Sequence, residues 1–506
     1  MIRLALSIVV VALTACAATS RAPDAQRLAE YRQRWNHHEG ANPPESSQAA
    51  FQERLELIDS PLFAALSPDE QHAHLQQAVR LGFHLKLYAA SHTLARRTSE
   101  MQPTRVHDWV TRFVTAGWAG DLKDATYVLT QAARRWPREL HRFRAAGVTE
   151  LVQSPVKSAP EREARFQLLE ALYAADWVDQ FGVAPAAFWG DLALELAERG
   201  QLERAVEVAR HTNSPRFVVL ARSAKAFDEL VRQGGDAFDI EAASKRQVDE
   251  WYAAVRRSPR QLEALVHLCY ALLDVGRYEE VYRITAAVMA RTAQASSFHD
   301  VFDDDEQWFN WILNSHSQAL EALQRWQDAE WELRAAADRL EDGHRNVSNT
   351  LRLAEYEIAM GRGGEALTVL AELPVNDPKV VTASGRVQWY SDRLSAARLV
   401  GDEKLASQCL EFVRAHQQDA LGKYQRSLVE AGRLDDAAKL LIRRLHDPQT
   451  RADALLEVQR YHDPPVPAAA QVGRDRWRQV LERADVREAI ARVGRSLDVP
   501  LPSRLP

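Results

Sequence analysis

Four groups of side chains in this sequence have types and spacings that could do chemistry. His37-His38-Glu39, and His72 with His74, could contribute metal ligands. A protein metal site needs three or four converging ligands. His72 and His74 lie two apart on an Ala/Gln-rich helical stretch, which points their rings apart; solvated histidines are expected. Asp303-Asp304-Asp305-Glu306 could hold a hard cation, but it lacks the alternating spacing and Gly of a calcium loop. Acids at the start of a helix running from Gln307 are expected instead, because carboxylates favour a helix N-terminus. Cys269 and Cys409 fall on apolar helical faces and form no metal or redox spacing; they are expected as two buried, unpaired thiols. The fourth group is aromatic: Phe298, Trp308, Phe309 and Trp311. It follows a lengthened connection over residues 293–306, and such insertions are often functional. Trp308 and Trp311 share a helical face, and Trp is enriched in binding hot spots. The alternative is that they fill a gap in the core, where helix-spaced aromatics usually belong. No G-x-S-x-G, H-E-x-x-H, C-x-x-C or phosphate-binding Gly-Lys loop occurs. No catalytic residue, metal or cofactor is therefore expected.

The elements that must position these groups are helical. Apolar residues recur at i, i+3, i+4 and i+7 almost throughout, and β-branched alternation is scarce, so few or no strands are expected. One local pattern overlies the helices: Gly, any residue, an apolar residue, two polar residues, then a small residue. It occurs as Gly120-Asp-Leu122-Lys-Asp-Ala125, Gly200-Gln-Leu202-Glu-Arg-Ala205, Gly276-Arg-Tyr278-Glu-Glu-Val281 and Gly432-Arg-Leu434-Asp-Asp-Ala437. Weaker copies start at Gln324, Gly361 and Gly401 and place Ala329, Ala366 and Ala406 sixth. Gly supplies the left-handed residue that ends one helix. The apolar residue begins the next, and the small residue lets the two approach closely.

This pattern resembles the turn and second-helix start of the tetratricopeptide repeat. Eleven residues before Gly120 and Gly200 stand Trp109 and Trp189, where that family places an aromatic wedge; seventeen after Gly120 and Gly361 stand Pro137 and Pro378, where it ends its second helix. The family period is about 34 residues. Here the copies are 80, 76, 48, 37, 40 and 31 residues apart, so the wider gaps are expected to hold degenerate hairpins. The resemblance covers roughly residues 60–460 and implies an all-α solenoid of antiparallel helical hairpins, in which only neighbouring repeats touch. It also implies a ligand groove lined by the first helix of each repeat. Carried onto this chain, the groove positions are Tyr270, Trp311, Asn314, Gln318, Glu355, Arg398 and Arg426. The Lys/Asn/Arg clamp with which chaperone-binding members hold a terminal carboxylate is not reproduced, so an extended peptide or folded protein is the implied ligand.

Residues 1–16 read as an export signal: Met1-Ile2-Arg3, then an apolar run over 4–13, too short to span a bilayer. Leu13-Thr14-Ala15-Cys16 resembles the lipobox of bacterial lipoproteins, which implies acylation of Cys16 and, with Ala17 following, the outer membrane. Ala15-Cys16-Ala17 equally satisfies an A-x-A cleavage rule that would release a soluble periplasmic or secreted protein. The expected organisation continues with a polar tether over 17–58 carrying a helical stretch near 25–35. Degenerate repeats follow over 59–236, with Gly234-Gly235-Asp236 as punctuation, then better-defined repeats over 237–462, and capping helices with a tail over 463–506.

The 506 residues are 46% hydrophobic and 26% charged with net charge −6, acids and bases interleaved, which disfavours nucleic acid as a partner. Only about 40 residues follow the last repeat, too few for an added lysozyme-like catalytic domain such as lytic transglycosylases carry. The function expected is a non-enzymatic protein-interaction adaptor or scaffold in the cell envelope. Two alternatives stand beside it: a carbohydrate-binding module in polysaccharide export, stacking sugars on some of the 13 Trp, and an enzyme of unrecognised type, which would need a pocket of converging titratable groups.

Overall fold

The computed structural model describes residues 25–36, 48–156, 158–295, 298–341 and 344–503. Cys16 and His37-His38-Glu39 lie outside them. The described chain is all-α, helix following helix through short turns; its only strands are two-residue pairs, at Leu340–Glu341 with His344–Arg345 and at Arg460–Tyr461 with Asp498–Val499. No helix among the described residues is long and apolar enough to cross a membrane.

Each turn of the repeated pattern adopts the left-handed conformation that ends a helix. Gly120, Gly200, Gly276, Gly361, Gly401 and Gly432 have φ between 71° and 79°, and Gln324 does the same at 60° without being glycine. The sixth residue is buried every time: Ala125, Ala205, Val281, Ala329, Ala366, Ala406 and Ala437 are at most 5% exposed. Trp109 and Trp189 are buried as wedges. Pro137 opens a 3-10 turn directly after the helix Leu122–Arg135. These features make the hairpins tetratricopeptide-like.

The chain divides into two compact units, residues 1–177 and 178–506, and Gly234-Gly235 falls inside the second. In the first, the expected tether is in part structured. Ala25–Asn36 and Gln48–Asp59 are helices, and Tyr31, Trp35, Phe51, Leu57 and Ile58 are buried against Leu75, Val79 and Leu94. The segment is polar on average, yet its few aromatic and aliphatic side chains fall on one face. A hairpin without a Gly signal joins Pro68–His84 to Tyr88–Met101 through Lys86, at φ 60°. Ser91 takes the small-residue place there, fully buried, so close to Gly82 that a Cβ on that glycine would lie 2.6 Å from the Ser91 hydroxyl.

His72 and His74 are not solvated. Their rings do diverge, but each finds a partner. Buried His72 sits with Nε2 2.7 Å from Asp108 and Nδ1 3.1 Å from Arg105, while His74 stacks on Trp35 at 3.8 Å. Nearby, buried Arg112 holds Asp124 through two bonds of 2.7 and 2.6 Å, joining the two helices of one hairpin.

In the second unit, five successive hairpins carry first helices at Leu262–Asp274, Asp305–Ala322, Val347–Ala359, Ala383–Leu399 and Leu421–Glu430. The acids at 303–304 cap a helix other than their own. Asp304 accepts from the backbone amides of Leu262 and Glu263 at 2.7 and 2.9 Å, and Asp303 pairs with Arg260. The lengthened connection is thereby tied to the preceding hairpin. Cys269 and Cys409 are buried and unpaired, and burial pushes their thiols up to about 12 and about 11.

Contrary to the expectation that only neighbouring repeats touch, the two ends of this unit meet. Arg451–Glu457 packs on Pro215–Ser223, Gly494 bridges Ala224, and Arg495 pairs with Asp228 at 2.6 Å. The terminal helices Ala468–Glu482 and Ala484–Val493 cover Leu434–His446, and the first of them also reaches Val347–Ala359 and Leu421–Glu430.

Candidate functional site

Polar and charged side chains gather where the first helices of the second unit stand side by side. Each helix contributes two polar side chains one turn apart: Gln318 and Glu321, Arg352 and Glu355, Gln388 and Asp392, Lys423 and Arg426. A spacing of three or four residues puts both on one face of a helix. The four pairs form a ladder across the hairpins, although only Arg352 with Glu355 and Lys423 with Arg426 hold the same places before their turns.

The ladder is joined by hydrogen bonds between helices. Arg352 donates to Glu321 on one side and to Glu355 at 3.1 Å on the other. The Gln388 amide nitrogen donates to Glu355 and to Asp392, each at 2.7 Å. Gln318 donates to Asn314 at 2.7 Å. Burial and the Glu355 charge raise the Asp392 carboxyl well above the usual range. Burial lowers the Lys423 ammonium. Glu355 keeps a lowered value despite its burial, because Arg352, Lys423 and Arg426 face it. Asp392 is only 6% exposed, and its Oδ2 has no hydrogen-bond partner. A buried acceptor left unpaired is costly, and Arg352 Nε on the neighbouring helix is likewise buried without a partner.

The expected groove residues do not all share this face. Gln318, Glu355 and Arg426 belong to it. Asn314 is 7% exposed and serves it from beneath through Gln318. Tyr270 is half-buried against the His267 ring at 6.3 Å. Arg398 instead lines a cleft of about 420 Å3 between two hairpins, beside Glu403, Arg414, Tyr424 and Arg433, and pairs with Glu403 at 3.3 Å. Within the aromatic group, Phe309 is core, Trp308 packs partly buried against it, and Trp311 is 37% exposed. Glu321, Arg352, Gln388, Asp392 and Lys423 were missed. Counting back nine residues from the turns at Gly361, Gly401 and Gly432 reaches Arg352, Asp392 and Lys423, so the repeat itself carried the signal.

One end of the ladder is roofed by the chain itself. A cavity of about 190 Å3 has Gln318, Glu321 and Arg352 on one wall and Pro464, Pro465 and Pro467 on the other. Among the described residues, no group of three or more His, Cys, Asp or Glu could hold a metal ion. The arrangement offers donors and acceptors in sequence, without a nucleophile poised against a base.

No family model and no curated protein matches the chain. Among solved structures it is similar to the TPR domain of P58(IPK), at 14% identity over 74% of this chain and 99% of that one, with a TM-score of 0.21. It is also similar to the structure of Naa15/Naa10 bound to HypK-THB, at 12% identity over 90% of this chain and 73% of that one, with a TM-score of 0.24. Yeast Tom70 matches at 10% identity over 92% of this chain and 99% of that one, with a TM-score of 0.23. Scores this low carry no argument, and the tetratricopeptide-like character of the hairpins rests on their own turns, wedges and buried small residues.

Proposed function

We propose that the chain is a non-enzymatic adaptor of the bacterial cell envelope, holding an extended peptide or a segment of a partner protein on the first-helix face of its second unit. The observation that carries this reading is the polar ladder, in which Arg352 and Gln388 cross from one first helix to the next. An extended segment offers alternating N–H and C=O groups and projecting side chains, the complement of a surface where donors and acceptors alternate. Glu321, Glu355 and Asp392 stand against Arg352, Lys423 and Arg426, so the face selects by pairing rather than by net charge. Leu13-Thr14-Ala15-Cys16 supports the envelope location, with an acylated Cys16 as anchor in the outer membrane. Sugar stacking has less support: Trp118, Trp311 and Trp331 are exposed, but Trp35, Trp109, Trp177, Trp189 and Trp389 are buried.

In-cell photocrosslinking tests the reading. A photoreactive residue at Gln318 or Arg426 is expected to capture a discrete envelope protein, and one at the exposed outer Trp331 is not. Adducts equal at all three positions, or absent at the first two, would overturn the adaptor reading. Metabolic acyl labelling that is lost on Cys16→Ser checks the anchor separately.

A further inference from the structure

The first unit carries a different surface, on an edge where two hairpin turns lie side by side. One turn joins Pro68–His84 to Tyr88–Met101, the other Val106–Ala119 to Leu122–Arg135. They bring Phe83, Tyr88 and Trp118 into one ring cluster. Trp118 stacks on Tyr88 with centroids 5.2 Å apart and meets Phe83 edge-on at 6.1 Å. Yet Trp118 is 61% exposed; Val114, one turn before it on the same helix, is 37% exposed, and Leu122, opening the next helix past the Gly120 turn, is 42% exposed. A contiguous apolar patch left in water marks an interaction site.

The charges beside it indicate what covers it. Lys86 and Lys123 stand at the two turns, both exposed, and neither makes an ion pair with a described residue. Asp121, in the second turn, is already engaged: it accepts from the Asp124 amide at 3.0 Å and lies 3.5 Å from His92. Tryptophan and tyrosine settle at the headgroup level of a bilayer, where an apolar ring body and a polar tip are both satisfied. Unpaired lysines are drawn to an anionic lipid surface. We propose that this edge docks on an anionic membrane surface, with Trp118 and Tyr88 in the interface and Lys86 and Lys123 against lipid phosphates. The contact depends neither on the ladder of the second unit nor on acylation of Cys16.

The test is cosedimentation of residues 17–506, which retain every described residue and lack both signal segment and acyl chain. The vesicles are phosphatidylcholine alone or mixed with phosphatidylglycerol. The chain is expected to sediment with the mixed vesicles and far less with phosphatidylcholine alone. Lys86→Gln with Lys123→Gln should weaken binding about twenty-fivefold, since each basic residue near an anionic surface contributes about a factor of five. Trp118→Ala with Tyr88→Ala should abolish it, and Trp331→Ala, which removes an exposed ring elsewhere, should leave it unchanged. Circular dichroism confirms that each variant is folded. A folded parent chain that ignores the mixed vesicles, or binding that survives both double substitutions, would overturn the proposal.

Discussion

Asp392 and Glu355 stand on neighbouring helices and accept from one nitrogen, that of the Gln388 amide, each at 2.7 Å. Two carboxylates sharing a donor repel each other when both are charged. The conflict falls on Asp392, whose carboxyl is raised by burial and by Glu355, whereas Glu355 has Arg352 to hold its charge.

A raised folded-state value means that the folded chain binds the Asp392 proton more tightly than the unfolded chain does. Its contribution is therefore fully favourable below the unfolded value of 3.8 and is lost as pH rises through the raised value. Asp392→Asn should remove this penalty and stabilise the chain, more at pH 8 than at pH 5. Urea denaturation at pH 5 and pH 8 measures it. A gain no larger at pH 8 than at pH 5 would show that Asp392 titrates normally.

Arg352 is the only cation bonded to both Glu321 and Glu355 among the described residues. Arg352→Met should destabilise by about 2 kcal/mol, below the usual loss for a broken buried pair because the side chain is 27% exposed. Burial already raises Glu321, so losing Arg352 should raise it further. Carbon-detected NMR titration of the carboxyls follows that shift.

His267 stacks on Trp251 at 4.6 Å, and burial pushes its ring down to about 4. The unfolded chain binds this proton near 6.5, so stability present above that pH is lost as pH falls toward 4. His316 is also held near 4 by burial and adds to the loss. His267→Phe should flatten the thermal-stability profile between pH 7 and 5. An unchanged slope would place the pH dependence elsewhere.

Gln324 occupies the left-handed turn that six glycines take elsewhere. A side chain there is strained by about 1 kcal/mol. Gln324→Gly should recover roughly that amount in chemical denaturation, and Gly276→Ala should lose a similar amount. Equal and opposite changes would identify the turn conformation, rather than any side-chain contact, as the cause.

Gly494 closes the second unit. A Cβ there would lie 2.3 Å from the Ser223 carbonyl oxygen, a backbone atom that cannot move aside cheaply. Gly494→Ala should destabilise by about 2 kcal/mol, as overpacking does. It should also speed hydrogen exchange at Arg495, whose amide donates to Ser223 at 2.8 Å. Unchanged exchange there would mean the ends are held by the surrounding helices instead.

What the sequence by itself determined is the hairpin. Gly120 to Ala125 is six residues long, and left-handed φ, helix start and small-residue contact all follow from local chemistry, so each copy was legible wherever glycine marked it. Where Lys86 took that place the signal vanished, although the backbone conformation did not. Within the polar segment over 17–58, the burial of Tyr31, Trp35 and Phe51 was not legible, because their partners Leu75, Val79 and Leu94 lie on later helices. Only the tertiary structure decided which groove residues meet. Gln318, Glu355 and Arg426 share the ladder face, whereas Arg398 lines a neighbouring cleft and pairs there with Glu403. The closure of Gly494 on Ser223, and the pairing of Arg495 with Asp228, join residues far apart in the chain. No local periodicity encodes such contacts; they depend on how the stacked hairpins bring distant segments together.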